Sequence, residues 1–269
     1  MSSEAPVIEA HEVTKVYRLG EHQSLQRTFA ALRGGRRENH ELRAVDELSF
    51  SIAPGECFGI VGANGSGKST LLQLISQITL PTAGHLVIRG RVLPLLAVGS
   101  GFHPELTGRE NVVLFGTVLG LQRRAILKHM DAIIDYADLV EYMDTPMKRY
   151  SSGMEARLSF AVAMRFPAAI SIFDEVLAVT DDEFTNRCLS SLEGFTAEGR
   201  TVIFVSHDAS LVRRLCTRAM WLAHGRLIAI GDTAEVMDAY AAAHATTAVT
   251  AAPASVDTAV RSDPPSRSR

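Results

Sequence analysis

Along the chain, short apolar runs alternate with stretches of helical periodicity, the pattern of a sheet covered by helices. Leu48, Phe50 and Ile52 alternate with Ser49 and Ser51, which predicts a strand with one buried face. Pro54-Gly55 then makes a turn. The compact apolar run from Glu56 to Val61 ends in a glycine-rich loop, as a buried strand feeding a helix does. Further strands are predicted over Ala169 to Phe173, Thr201 to Val205, Ala219 to Ala223 and Arg226 to Ile230. Between the two groups of strands, residues 105–165 read as almost wholly helical and open on Thr107-Gly108-Arg109-Glu110, an S/T-x-x-E capping box. That block predicts an inserted helical subdomain.

Composition narrows the class. With 46% hydrophobic and 21% charged residues, a chain of 269 residues buries a sizeable core, and global disorder is excluded. Thirty acidic against 27 basic side chains leave a net charge of -3, too balanced for a protein dominated by nucleic-acid contacts. No run approaches the ~18 consecutive apolar residues of a membrane span, and MSSEAPVIEA has neither a basic n-region nor an apolar h-region. A cytoplasmic chain is the expectation. Cys57, Cys188 and Cys216 form no CxxC pair and read as core thiols.

Two segments stand apart. Residues 18–43 hold six arginines and three glutamates, a charge of +3 against -6 for the rest of the chain. This basic insertion is either a solvated loop or a surface near lipid headgroups or a membrane partner. Residues 241–269 are rich in Ala, Thr, Ser and Pro, with Val249, Val256 and Val260 as their larger apolar side chains. A disordered tail is expected there.

Gly62-Ala63-Asn64-Gly65-Ser66-Gly67-Lys68-Ser69, followed by Thr70, matches G-x-x-x-x-G-K-[ST] between an apolar strand and an apolar helix. Its glycines let backbone N–H groups point at phosphate oxygens, and the helix N-terminus adds partial positive charge. Lys68 is expected at the β and γ phosphates and the Ser69 hydroxyl on magnesium. Ile170 to Glu175 is a strand ending in two carboxylates, which predicts Asp174 in the magnesium shell and Glu175 facing the attacking water. His207 ends another apolar strand, and parallel strands bring their C-terminal ends to one crevice.

Tyr150-Ser151-Ser152-Gly153-Met154 sets an exposed serine and a glycine before a helix, a second candidate phosphate site. It resembles the signature of ABC-type ATPases, usually written LSGGQ, with Ser152 for the first glycine and Met154 for the glutamine. The resemblance implies an α/β P-loop NTPase fold with a mixed sheet, a RecA-like core and an inserted helical subdomain, over residues 1–240. It also implies ATP and magnesium, with Tyr17 stacked on adenine and two chains paired head to tail. Ser151, Ser152 and Gly153 of one chain then cap the nucleotide of the other, and catalysis falls to Lys68, Glu175 and His207. Ala178-Val179-Thr180-Asp181 resembles the loop through which paired sites sense each other, although glycine is commoner at Thr180. The glutamine that most of the family carries is absent from Leu93 to Glu110.

The run GFHPELTGREN (101–111), YSSGM, DEVLAV and the long insertion after Tyr17 together resemble exporters of lipid-linked polysaccharide. That resemblance implies a multi-span membrane permease as partner and a place on the cytoplasmic face of the cell membrane. O-antigen, teichoic acid and cell-wall galactan all fit as substrates, and no nucleic acid is expected. The rival readings are a soluble ABC ATPase uncoupled from transport, an ABC ATPase for another exported substrate, and a non-catalytic nucleotide sensor.

Overall fold

Two sheets sandwich the helix that follows the phosphate loop. The computed structural model describes residues 5–19, 40–95, 101–166, 168–174, 181–206 and 208–250. Strand β1 (Ile8–Leu19) pairs antiparallel with β2 (His40–Ile52) on one side and β4 (Ala83–Ile88) on the other. The second sheet contains β3 (Cys57–Val61), β5 (Val92–Leu95), β6 (Ile170–Asp174), β7 (Thr201–Val205), β8 (Arg218–Ala223) and β9 (Arg226–Asp232). Its order is β5-β6-β7-β3-β8-β9, parallel except for the antiparallel edge strand β9.

The predicted strands of this second sheet appear within a residue or two of their expected ends, because apolar runs such as Cys57–Val61 and Thr201–Val205 are buried along their whole length. Strand β2 is longer than the expected Leu48 to Ile52 segment, and β1 was not expected as a whole. Their alternation is broken by register shifts around Val13, with Glu12 and Glu47 at φ of 49° and 54°. Such bulges reset the two-residue period that alternation depends on.

Helix α1 (Lys68–Ile75) buries Leu71, Leu72, Leu74 and Ile75 in a cluster with Ile8, Val45 and Leu48 of the small sheet and Ile60, Ile172 and Ile203 of the large one. Truncating Leu72 to alanine costs about 2–5 kcal/mol at a site packed on both sides. The 105–165 block holds α2 (Gly108–Val118), α3 (Arg123–Lys128), α4 (Met130–Ala137), two 3-10 turns and α5 (Ser152–Arg165), packed around Val112, Ile133, Met143 and Leu158. The expected capping box is present: the Thr107 hydroxyl accepts from Glu110 N, and the Glu110 carboxylate accepts from Thr107 N at 2.8 Å.

On the far face of the large sheet lie α6 (Asp182–Ala197), α7 (Ala209–Leu215) and α8 (Thr233–Thr250). Helix α8 corrects the boundary of the expected tail, since 241–250 continue the helix; their alanines have high helix propensity and α8 is already anchored by Val236 and Met237. Residues 251–269 lie outside the described residues, as do 20–39 of the basic insertion. Arg18 and Arg43, at its ends, belong to β1 and β2, where Arg18 meets Glu41 at 3.8 Å and Arg43 meets Asp46 at 2.9 Å. Among the described residues no helix is long and apolar enough to cross a membrane.

Candidate nucleotide site

Parallel strands put their C-terminal ends on one side of a sheet, and the chemistry follows from what each strand delivers there. Strand β3 delivers the glycine-rich loop, and its neighbour but one, β6, delivers Asp174. Between them opens a cavity of about 420 Å³ lined by Asn64, Gly65, Ser66, Gly67, Lys68, Ser69, Thr70 and Asp174. Leu42, Arg43, Ala44 and His224 close its other wall. Gly62 and Ala63 take part through their carbonyls: the Lys68 ammonium donates to Gly62 O at 2.7 Å and to Ala63 O at 3.1 Å.

Two glycines make the cradle geometrically feasible. Gly67 caps α1 at φ 106°, a conformation that side chains resist, and a Cβ there would collide with Ala44 O. Gly225, at φ 79°, lies against Ala44 from the other side and donates its N–H to Ser66 O at 2.9 Å. The loop is therefore braced by β2 and by the β8–β9 turn. Among the described residues Ser66 Oγ is buried without a hydrogen-bond partner, packed so close to Gly62 that a Cβ there would lie 2.6 Å from it.

Tyr17 is half-buried on β1, opposite Leu42 of the cavity wall, with its hydroxyl donating to Gln73 Oε1 at 3.3 Å and the Lys15 ammonium 5.3 Å from its ring centre. The expected second phosphate site is elsewhere. Ser151 and Ser152 are exposed at the start of α5, where the Ser151 hydroxyl accepts from Met154 N at 3.2 Å, and Gly153 follows. None of these three lines the cavity. Asp181 caps α6, accepting from Phe184 N at 3.0 Å and pairing with Arg157 of α5. The Phe184 N–H and the Arg157 guanidinium hold its carboxyl down to about 2. Glu175, His207 and Ala178 to Thr180 lie outside the described residues, as does the Ala97 to Gly99 stretch that replaces the family's glutamine.

Sequence reasoning missed Leu42, Arg43, Ala44 and His224. They belong to no motif and reach the cavity by tertiary pairing alone. The sequence signal nearest to them is the His224-Gly225 turn between two apolar strands.

A phosphate cradle at the carboxyl edge of a largely parallel sheet, with an acidic strand tip across the same cavity, defines a P-loop nucleotide-binding protein. The family model described as ABC transporter matches residues 45–178. The O-antigen export ATP-binding protein RfbB of Klebsiella pneumoniae is 40% identical over 244 residues, covering 87% of this chain and 97% of that protein. The chain belongs to the ABC transporter ATP-binding family. The teichoic acids export ATP-binding protein TagH of Bacillus anthracis is 42% identical over 197 residues, which span 73% of this chain and 36% of that protein. In fold, the chain matches a dimeric ATP-binding cassette solved in a post-hydrolysis state with ADP and phosphate, at a TM-score of 0.66 and 22% identity, over 84% of this chain and 98% of that one.

Proposed function

We propose that the chain is the ATP-hydrolysing subunit of an exporter of lipid-linked polysaccharide, working as a head-to-tail pair beneath a multi-span membrane permease. O-antigen, teichoic acid and cell-wall galactan are the substrate types this reading admits; the names of the relatives and the GFHPELTGREN and YSSGM runs support it. One observation carries the paired arrangement: the cradle around Lys68 and the helix tip at Ser151 are separate surfaces of one chain, and the tip is exposed. A helix N-terminus with free N–H groups is an anion site awaiting its anion.

Phosphoryl transfer needs mainly positioning and charge stabilisation. Backbone N–H groups from Gly62 to Thr70 cradle the phosphates, and Lys68 exchanges its two carbonyl partners for phosphate oxygens. Ser69 and Asp174 are hard oxygen donors on one cavity and suit magnesium, which when bound neutralises charge on the transferring group. Glu175 polarises the attacking water, His207 contacts the γ-phosphate, Tyr17 stacks on the base, and Ser151, Ser152 and Gly153 close the partner's site.

The test is Glu175→Gln. This variant should bind ATP as the wild type does, lose hydrolysis by about 100-fold or more in the permease complex, and accumulate as an ATP-bound dimer on size exclusion. Wild-type turnover by the variant complex would remove Glu175 from the mechanism. Absence of any permease-dependent stimulation of the wild type would remove the transport reading.

A further inference from the structure

The β2 wall of the nucleotide cavity, which touches the phosphate loop at Gly67, carries an arginine held by a buried carboxylate. Asp46 of β2 is buried, with 7% of its side chain exposed, and accepts from Arg43 Nη1 at 2.9 Å. Its other oxygen takes Arg226 Nε at 2.8 Å and Nη2 at 2.7 Å. Asp46 thus sits between two guanidiniums, of which Arg43 lines the cavity. These contacts, Arg43 first and then Arg226, hold the Asp46 carboxyl below the usual carboxylate range, so the clamp stays charged. Asp46 N also donates to Gly225 O at 2.9 Å, tying the clamp to the turn that braces the phosphate loop.

Position along β2 indicates which part of a nucleotide this wall meets. Ala44 packs against Gly67 of the cradle, Arg43 is the next residue, and Leu42 lies opposite Tyr17. Residues advance ~3.3 Å each along a strand. The three positions therefore step from the phosphate end of the cavity to the base end, and the cavity lining includes all three.

We infer that Arg43 is a nucleotide-contacting residue that holds the sugar and α-phosphate portion of the bound nucleotide, with Asp46 as its positioning residue. This rests on the reading that the cavity takes a nucleotide. The contact serves nucleoside di- and triphosphates alike, since the α-phosphate is common to both. It also assigns Arg43 to the catalytic cavity, away from any lipid-facing part of the basic insertion.

The experiment measures binding of ATP, ADP and inorganic pyrophosphate, with magnesium, to the full chain and to Arg43→Ala, Arg43→Lys and Asp46→Asn. Arg43→Ala should raise Kd for ATP and ADP together by about 5–20-fold and flatten the dependence of log Kd on log salt. Pyrophosphate, whose two groups fill the β and γ positions at Lys68, should bind as before, Arg43→Lys should recover part of the loss, and Tm should hold because Asp46 keeps Arg226. Asp46→Asn should weaken ATP in the wild-type background and add nothing to Arg43→Ala. Unchanged ATP affinity in Arg43→Ala overturns the contact, and equal loss for pyrophosphate overturns its assignment to the α-phosphate side. An effect of Asp46→Asn that is independent of Arg43 reduces Asp46 to a structural group. Failure of the wild type to bind any nucleotide would overturn the cavity reading beneath the inference.

Discussion

Gly67 shows how much one hydrogen atom in place of a methyl group decides. At φ 106° and against Ala44 O, it allows the backbone to turn its N–H groups inward where any side chain would force β2 away. Gly67→Ala should lower nucleotide affinity by at least about 10-fold and cost about 1–3 kcal/mol of stability from the strained conformation. Calorimetric titration with ATP and thermal melts check the pair of values; wild-type affinity with unchanged Tm would show that the cradle tolerates a side chain there. Motif matching found the cradle residues because their roles are local and the spacing is fixed by one loop. Arg43 and His224 were invisible to it, since Arg43 reaches the cavity through the pairing of β2 with β1, and His224 through the pairing of β8 with the distant strand β3.

Among the elements, α6 depends on how its first turn is capped. Asp181 accepts the Phe184 amide and pairs with Arg157, whose guanidinium also meets Asp138 at 3.5 Å and lies 5.3 Å from the Phe184 ring centre. This joins the start of α6 to the helical subdomain through α5. The carboxyl falls from an ordinary 3.8 to about 2 on folding, so its charge-dependent contribution is fully present above pH 3.8 and is lost as pH drops through about 2. Asp181→Asn keeps an acceptor for the cap but loses the charge. Its Tm should lie below wild type at neutral pH, and the gap should close between pH 3.8 and 2, followed by paired acid melts. A gap constant down to pH 2 would assign the effect to packing. Legibility also differed by element. Fully buried strands such as β3 and β7 announce themselves as apolar runs, whereas β4 is never fully buried and β1 is interrupted by bulges, so periodicity carries little contrast in either.

At the scale of the whole molecule, the question is why one chain presents a complete cradle and, separately, an exposed helix tip at Ser151. Ser151→Asp separates the two halves of the proposed site. Aspartate is as good an N-cap as serine, so α5 should remain intact, while its charge opposes a phosphate offered by a second copy. In the Glu175→Gln background, this variant should bind ATP with unchanged affinity yet fail to form the ATP-dependent dimer seen by size exclusion or light scattering. Equal dimerisation would show that the tip does not meet the partner's nucleotide. The layered fold was legible from strand and helix alternation; the proposed pairing rests on resemblance, because no pattern within one chain specifies what an exposed helix end will meet.

The bond from Lys68 to its own loop carriers has an implication for the resting protein. An ammonium already gripped by the Gly62 and Ala63 oxygens is not an open invitation to passing chloride or bicarbonate. In the proposed function, capture begins as an exchange of companions, which a multidentate newcomer that engages the whole loop at once completes most readily.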